Sequence, residues 1–297
     1  MTTVIAVLLS LLLTACSAAT MADVKSAPPP ADLPLVDLPL VEAAVEEKIS
    51  YTVELQTWED AVYAGDGTLL VSSSFQIPVL TACREDGTAI TEPETEKETQ
   101  ALEVAAAFNE RFSGWTSSEE LYRLSEGAAE DLAWRQEAGY EWLGYALELS
   151  CNVYQTEQLV SVSGLYYSDT GGAHPNTYEM GWNFDLETGV FFEPELLAEG
   201  SALQETVSAE LVRQAKARAA DNDMAPEDFF WSDYENILAD WGSYAVYFDQ
   251  DGMTVAFSPY ELACYAAGSQ EFHLSYAWLK PCLSQHGRGL LGLEPAE

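Results

Sequence analysis

Basic residues are scarce in this chain: 12 Lys plus Arg stand against 49 Asp plus Glu, a formal net charge of −37. A surface of that sign repels nucleic acid and anionic lipid headgroups, so neither is a suitable partner. It attracts cations and basic proteins at a rate that salt suppresses, although a merely solubilising acidic surface has the same composition. Recognisable catalytic spacing is also missing: there is no H-E-x-x-H, no phosphate-binding P-loop and no G-x-S-x-G. Gly287-Arg288-Gly289-Leu290-Leu291-Gly292 has the spacing of a dinucleotide fingerprint but lacks the following helix that would hold pyrophosphate. Asp221-Asn222-Asp223 starts like a calcium loop, yet Pro226 stands at the glycine position and Ser232 at the glutamate position. No cysteine lies in a C-x-x-C and no histidine sits at ligand spacing, which argues against a zinc site. Neither a metal nor a cofactor is expected.

Long apolar runs are absent too. The run V-I-A-V-L-L-S-L-L-L at residues 4–13 falls short of the ~20 residues a membrane span needs and suits the apolar region of a signal peptide. It ends in Leu13-Thr14-Ala15-Cys16, the pattern of a bacterial lipobox, which assigns residues 1–15 to a signal peptide and Cys16 to lipidation. The Lys or Arg expected before the apolar run is missing, as a start codon placed further upstream would explain; simple secretion is the alternative reading. Acyl chains on Cys16 would anchor the protein at the outer face of the bacterial membrane. Residues 16–48, with Pro28-Pro29-Pro30 and the near-repeat D-L-P-L-V-D-L-P-L-V, read as an extended spacer.

Folded structure is expected from Ile49. Ile49, Tyr51, Val53 and Leu55 alternate with polar residues in the period of a half-buried strand, and Asp66-Gly67 marks a hairpin. Leu102, Ala105, Phe108 and Phe112 have helical spacing. Thr116 and Ser117 each precede a glutamate by three residues, which predicts a second helix capped there and broken near Gly127. Two strands follow from Tyr145, then the loop Tyr167-Ser-Asp-Thr-Gly-Gly-Ala-His-Pro-Asn176 and another hairpin around Glu187-Thr188-Gly189. Ser201 opens a helix, Pro226 another, and three short strands end the fold, with residues 284–297 left as a tail. Strands and helices in clusters without strict alternation predict an α+β fold of mostly antiparallel sheets with packed helices, in two parts, 49–170 and 171–283.

With Cys16 lipidated, Cys83, Cys151, Cys264 and Cys282 remain. Cys264 and Cys282 flank the last strand and are the preferred disulfide, free buried thiols being the alternative. The loop supplies the candidate binding residues Tyr167, Asp169, Gly171, Gly172, His174 and Pro175. Gly171 and Gly172 permit a sharp turn or a close ligand approach, and Pro175 biases His174 towards an extended backbone. A catalytic His174 needs Asp169 or Tyr167 as partner; the structural alternative has it hydrogen-bonding backbone to hold the loop.

The loop, the following N-F-D-L-E-T-G, and the later D-Q-D-G-M-T-V-A-F-S-P-Y-E-L-A-C-Y-A-A-G resemble an exported domain of largely unknown function. That domain occurs in the ectodomain of the lysozyme-sensing anti-sigma factor RsiV and beside the catalytic domain of the peptidoglycan deacetylase PdaC, and the similarity covers roughly residues 49–280. The resemblance implies an α+β fold and extracytoplasmic recognition at the cell wall, of wall glycan or of a basic protein such as lysozyme. Sigma-factor control and deacetylation do not carry over, because the segments that perform them have no counterpart here. The expectation is a non-catalytic, lipid-anchored envelope protein; the rival is an enzyme acting on wall glycan at the G-G-A-H-P loop.

Overall fold

The structure, a computed structural model, describes residues 48–293. Contacts divide the chain into Met1–Val45 and Glu46–Glu297, and every described residue belongs to the second unit. The signal peptide, Cys16 and all of the spacer before Lys48 lie outside the described residues.

Strands β1 (Ser50–Tyr63) and β2 (Leu69–Cys83) form the expected hairpin. At its turn the Asp66 carboxylate accepts the Thr68 N–H at 2.9 Å and Gly67 takes φ 88°. Helices α1 (Glu96–Phe112) and α2 (Glu119–Ala138) follow, then β3 (Tyr145–Gln155), β4 (Leu159–Asp169), β5 (Asn176–Asp185) and the short β6 (Val190–Phe191). These six strands lie in sequence order in one sheet. Its pairs are antiparallel except β2 with β3, which run parallel. A parallel pair needs a long crossover, and α1 and α2 supply it. The α+β expectation therefore holds, with a mixed sheet in place of an antiparallel one.

The Thr95 side chain caps α1 by accepting the Glu98 N–H at 3.1 Å. Ala101, Ala105, Phe108 and Phe112 then bury one face of the helix. The Phe108 ring lies 5.2 Å from Phe112, 5.3 Å from Phe184 and 5.7 Å from Phe191, so the helix is held to the sheet by aromatic packing. Helix α2 departs from expectation twice. Ser113–Thr116 form a 3-10 turn, which moves the start to Ser118. The helix then runs unbroken through Gly127, because Leu121, Ala128 and Leu132 anchor its inner face while Gly127 stays exposed.

The second half begins with α3 (Ala202–Asp221); of the face that helical spacing marks out, Leu203, Val207, Leu211 and Ala215 are buried and Val212 is partly buried. The helix expected from Pro226 is split into α4 (Pro226–Phe229) and α5 (Tyr234–Ala239). Between them Phe230 pairs with Ala263, and the Trp231 N–H donates to the Leu262 carbonyl at 3.0 Å, taking backbone groups a continuous helix would need. Strands β7 (Ala245–Phe248), β8 (Gly252–Phe257) and β9 (Gln270–Ser275) make an antiparallel three-stranded sheet. Helices α6 (Tyr276–Leu279) and α7 (Gln285–Leu290) close the chain. The segment read as a tail is thus partly core: Leu290 and Leu291 are buried with Leu197 and Leu283.

One core lies between the six-stranded sheet and α1, the other around α3 and the three-stranded sheet. The division at residue 170 falls inside the β4–β5 hairpin, whose strands pair from Leu159–Asp185 to Ser168–Asn176. One joint between the halves is β7. The Phe248 N–H donates to Ser161 Oγ at 2.8 Å, Ser161 Oγ–H donates to Asn183 Oδ1 at 2.8 Å, and Asn183 Nδ2 donates to the Val246 carbonyl at 2.9 Å. Two side chains of the large sheet thereby satisfy backbone groups on an edge strand of the small one. Gly181 lies against the Val246 backbone so closely that a Cβ there would collide with it.

All four described cysteines are free thiols. Cys83 and Cys151 are buried, and burial pushes the Cys151 thiol up to about 12. The expected Cys264–Cys282 disulfide is not formed: Cys264 is exposed in a loop, whereas Cys282 packs against the larger core. Among the described residues no helix is long and apolar enough to cross a membrane.

Candidate functional site

The loop between β4 and β5 is pinned on both sides. On one side α2 presents Asp131 and Arg135, four residues apart and paired at 3.0 Å; Arg135 Nη2 also donates to the Gly171 carbonyl at 3.1 Å. Gly171 takes φ 77°, and a Cβ there would lie 2.8 Å from the Asp131 carboxylate and 3.1 Å from the Tyr145 ring. Gly172 has neither constraint. The two glycines are therefore not equivalent. Gly171→Ala should cost about 1–2 kcal/mol in urea denaturation, and Gly172→Ala a few tenths at most. Equal losses would show that the loop needs general flexibility and not one left-handed residue.

On the other side stands the segment after β8. The His174 imidazole stacks on Tyr265 with ring centroids 3.7 Å apart at 19°. Its Nδ1 lies 2.9 Å from the Pro175 carbonyl and its Nε2 lies 3.1 Å from the Tyr260 hydroxyl. A carbonyl can only accept, so Nδ1 carries the hydrogen, and Nε2 shares a hydrogen bond with the Tyr260 hydroxyl. Tyr260 is held at φ 75°, an uncommon conformation for a residue with a side chain, yet is 53% exposed. The Trp231 indole N–H donates to its carbonyl at 2.9 Å and its own N–H donates to Ala263 at 3.1 Å, and these bonds keep the turn in that shape.

Asp169 does not pair with His174. Its Oδ1 accepts the Gly171 N–H at 3.0 Å, closing a turn of the loop. It also takes a hydrogen bond from Tyr167, whose hydroxyl is raised first by desolvation and then by the charges of Asp169 and Glu148 and by Tyr265. Beneath the loop, the Glu179 N–H donates to Ser258 Oγ at 3.0 Å. The Glu179 carboxyl is raised by desolvation, with Glu271 and Glu261 adding to the effect and a hydrogen bond from Ser269 opposing it.

The structure thus brings Tyr167, Asp169, Gly171, His174 and Pro175 into one bonded loop and adds Tyr260 and Tyr265 from about ninety residues downstream. Those two tyrosines were missed by reasoning from the sequence. They belong to the S-P-Y-E-L-A-C-Y stretch, and nothing local in it points to a loop so distant. The surface is aromatic and acidic, with backbone already satisfied. Among the described residues no group of three His, Cys, Asp or Glu is placed to hold a metal ion.

Comparison with known proteins places the second half. Residues 194–277 match the family described as Protein of unknown function (DUF3298). That stretch runs from the turn before α3 into α6 and includes Tyr260 and Tyr265, but not the His174 loop. A crystal structure of a DUF3298 family member from Bacteroides fragilis superposes with a TM-score of 0.53 at 16% identity, covering 79% of this chain and 94% of that one. At that identity the likeness speaks for the fold, and it extends well beyond the matched segment. A DUF3298 family protein from Pseudomonas aeruginosa gives a TM-score of 0.47 at 16% identity over 83% of this chain and 97% of its own. No curated protein matches the chain.

Proposed function

We propose that the protein is a bacterial cell-envelope lipoprotein, anchored through Cys16 at the outer face of the membrane, whose folded unit is a non-catalytic binding domain for an extracytoplasmic ligand. A basic protein such as lysozyme is the favoured ligand and wall glycan the second. The observation that carries this reading is the engagement of His174. Both ring nitrogens are bonded within the loop cluster and one ring face is covered by Tyr265. A general base needs a free nitrogen within reach of substrate, and an orienting carboxylate would have to sit on the other nitrogen. Asp169 is turned to Gly171 and Tyr167 instead. The enzyme alternative, with His174 and Asp169 converging in an open cleft, therefore has little support.

The exposed ring of Tyr260, held by a strained backbone, suits an anchor for a partner surface, since an aromatic fixed in advance loses little entropy on binding. The −37 charge suits a basic partner. The similarity to the RsiV ectodomain supports the lysozyme version.

Titration of the unit from Lys48 onward with lysozyme tests this. Binding is expected at low salt, weaker at about 150 mM salt, where exposed charges are screened beyond ~8 Å. Tyr260→Ala should weaken it about tenfold, the loss of roughly 1.4 kcal/mol typical of an anchor residue. No binding at low salt would sink the basic-protein reading.

A further inference from the structure

Strand β1 is the long edge of the six-stranded sheet: it pairs with β2 along its 14 residues and, among the described residues, with nothing on its outer side. At about 3.3 Å per residue this is roughly 45 Å of edge. The Tyr51 carbonyl already accepts from Gln155 Nε2 at 2.7 Å and the Ala61 N–H donates to Asp60 Oδ1 at 2.8 Å, so the template for one more strand is the stretch between them. Beside it, on the open face of the sheet, lies a groove of about 540 Å³ lined by Glu59, Ala61, Tyr63, Ser72, Ser74 and Glu148 among others.

Register explains the groove. Glu59 lies opposite Ser74, Ser74 opposite Glu148, and Glu148 opposite Tyr167. In the adjacent row Ala61 lies opposite Ser72, Ser72 opposite Ala146, and Ala146 opposite Asp169. Directly paired residues share a face, so small side chains form a floor, with Glu59 on the β1 side and Glu148 and Asp169 on the far side. No Lys or Arg occurs in any of the six strands. Nearby bases are already paired: Arg84 with Glu98, Arg123 with Glu120 and Arg135 with Asp131. The field over this face is therefore of one sign.

We infer that the outer edge of β1 accepts an extended cationic polypeptide segment as a seventh strand, with a Lys or Arg of that segment crossing β1 to lie between Glu59 and Glu148. Main-chain bonds to the edge would supply affinity and the carboxylates would supply selectivity, the division of labour seen when a peptide extends a sheet. One strand spacing of about 4.8 Å separates the added strand from Glu59, so a long cationic side chain leaning across β1 meets Glu59 at the near edge of the floor and faces Glu148 across it. A second copy is the rival occupant, and charge opposes it. Antiparallel pairing centred between Gln56 and Thr57 sets Glu54 against Glu59, and pairing centred on Thr57 sets Glu54 against Asp60. Like charges directly opposite destabilise a strand pair. The far wall of the groove adjoins the loop cluster through Tyr167 and Asp169, whereas the β1 edge and Glu59 contain none of its residues, and the inference does not depend on the ligand proposed for the cluster.

The test uses a ten-residue peptide alternating Lys and Val, and its Glu–Val counterpart, against the unit from Lys48 onward. Any cation is drawn to so acidic a chain, so the decisive readout is location. The Lys–Val peptide should slow hydrogen exchange in residues 54–61, and Glu59→Lys with Glu148→Lys should weaken its binding at least about tenfold. The Glu–Val peptide should not bind. Binding unchanged by the charge reversals, or protection confined to other segments, would overturn the inference. Protection of residues 54–61 that rises with protein concentration and no peptide would overturn it in favour of a second copy. Loss of lysozyme binding in Tyr260→Ala with peptide protection intact would show the two surfaces acting independently.

Discussion

Gly181→Val should destabilise the protein by about 4 kcal/mol or more, seen as a lower urea midpoint with an unchanged slope. Gly181 faces the Val246 backbone on β7 at the crossing of the two sheets. A Cβ there meets main chain and not the flexible end of a side chain, so relief requires β7 to move away. Moving β7 also breaks the bonds that Ser161 and Asn183 make to Phe248 and Val246. Overpacking in a core typically costs 1–3 kcal/mol, and the lost bonds add to it. A domain of this size has roughly 5–15 kcal/mol in total, so the variant should be marginal at 37 °C. A loss below about 1 kcal/mol would mean that the sheets can separate locally and that β7 is not a joint.

How much of this was legible in the sequence depends on the range of the interactions. The β1–β2 hairpin could be read because alternation and Asp66-Gly67 act within a few residues. The faces of α1 and α3 could be read because 3.6-residue spacing decides burial locally. The parallel β2–β3 pair could not, since it depends on two helices returning the chain to the same sheet. Thr116 and Ser117 satisfied a capping pattern, but the 3-10 turn before α2 set the helix start one residue later, at Ser118. Pro226 marked a helix start correctly, while the split at Phe230 came from pairing with Ala263, thirty-three residues away. The site divides in the same manner. Asp169, Gly171 and Pro175 follow from turn chemistry, whereas the partners of His174 come from another part of the fold.

The largest buried polar effect should come from Asn183→Leu, expected to cost about 3 kcal/mol in the same denaturation measurement. Leucine is close in volume, so the loss is chemical and not a cavity. Asn183 is 5% exposed and Ser161 1%, and water therefore cannot take over their bonds. The Val246 carbonyl loses its donor, and the Ser161 hydroxyl loses its acceptor while still accepting from the Phe248 N–H. Because the two side chains form one relay, Ser161→Ala in the Asn183→Leu background should cost less than in the parent, by about 1 kcal/mol. Strict additivity would show two independent bonds. The relay also bears on the loop surface. His174 belongs to the β4–β5 hairpin and Tyr260 to the segment after β8, so their 3.1 Å contact depends on the hold of β4 and β5 on β7 together with the Glu179–Ser258 bond. Asn183→Leu should accordingly weaken lysozyme binding more than its distance from Tyr260 suggests, and a variant that loses stability but keeps full affinity would place the binding surface elsewhere.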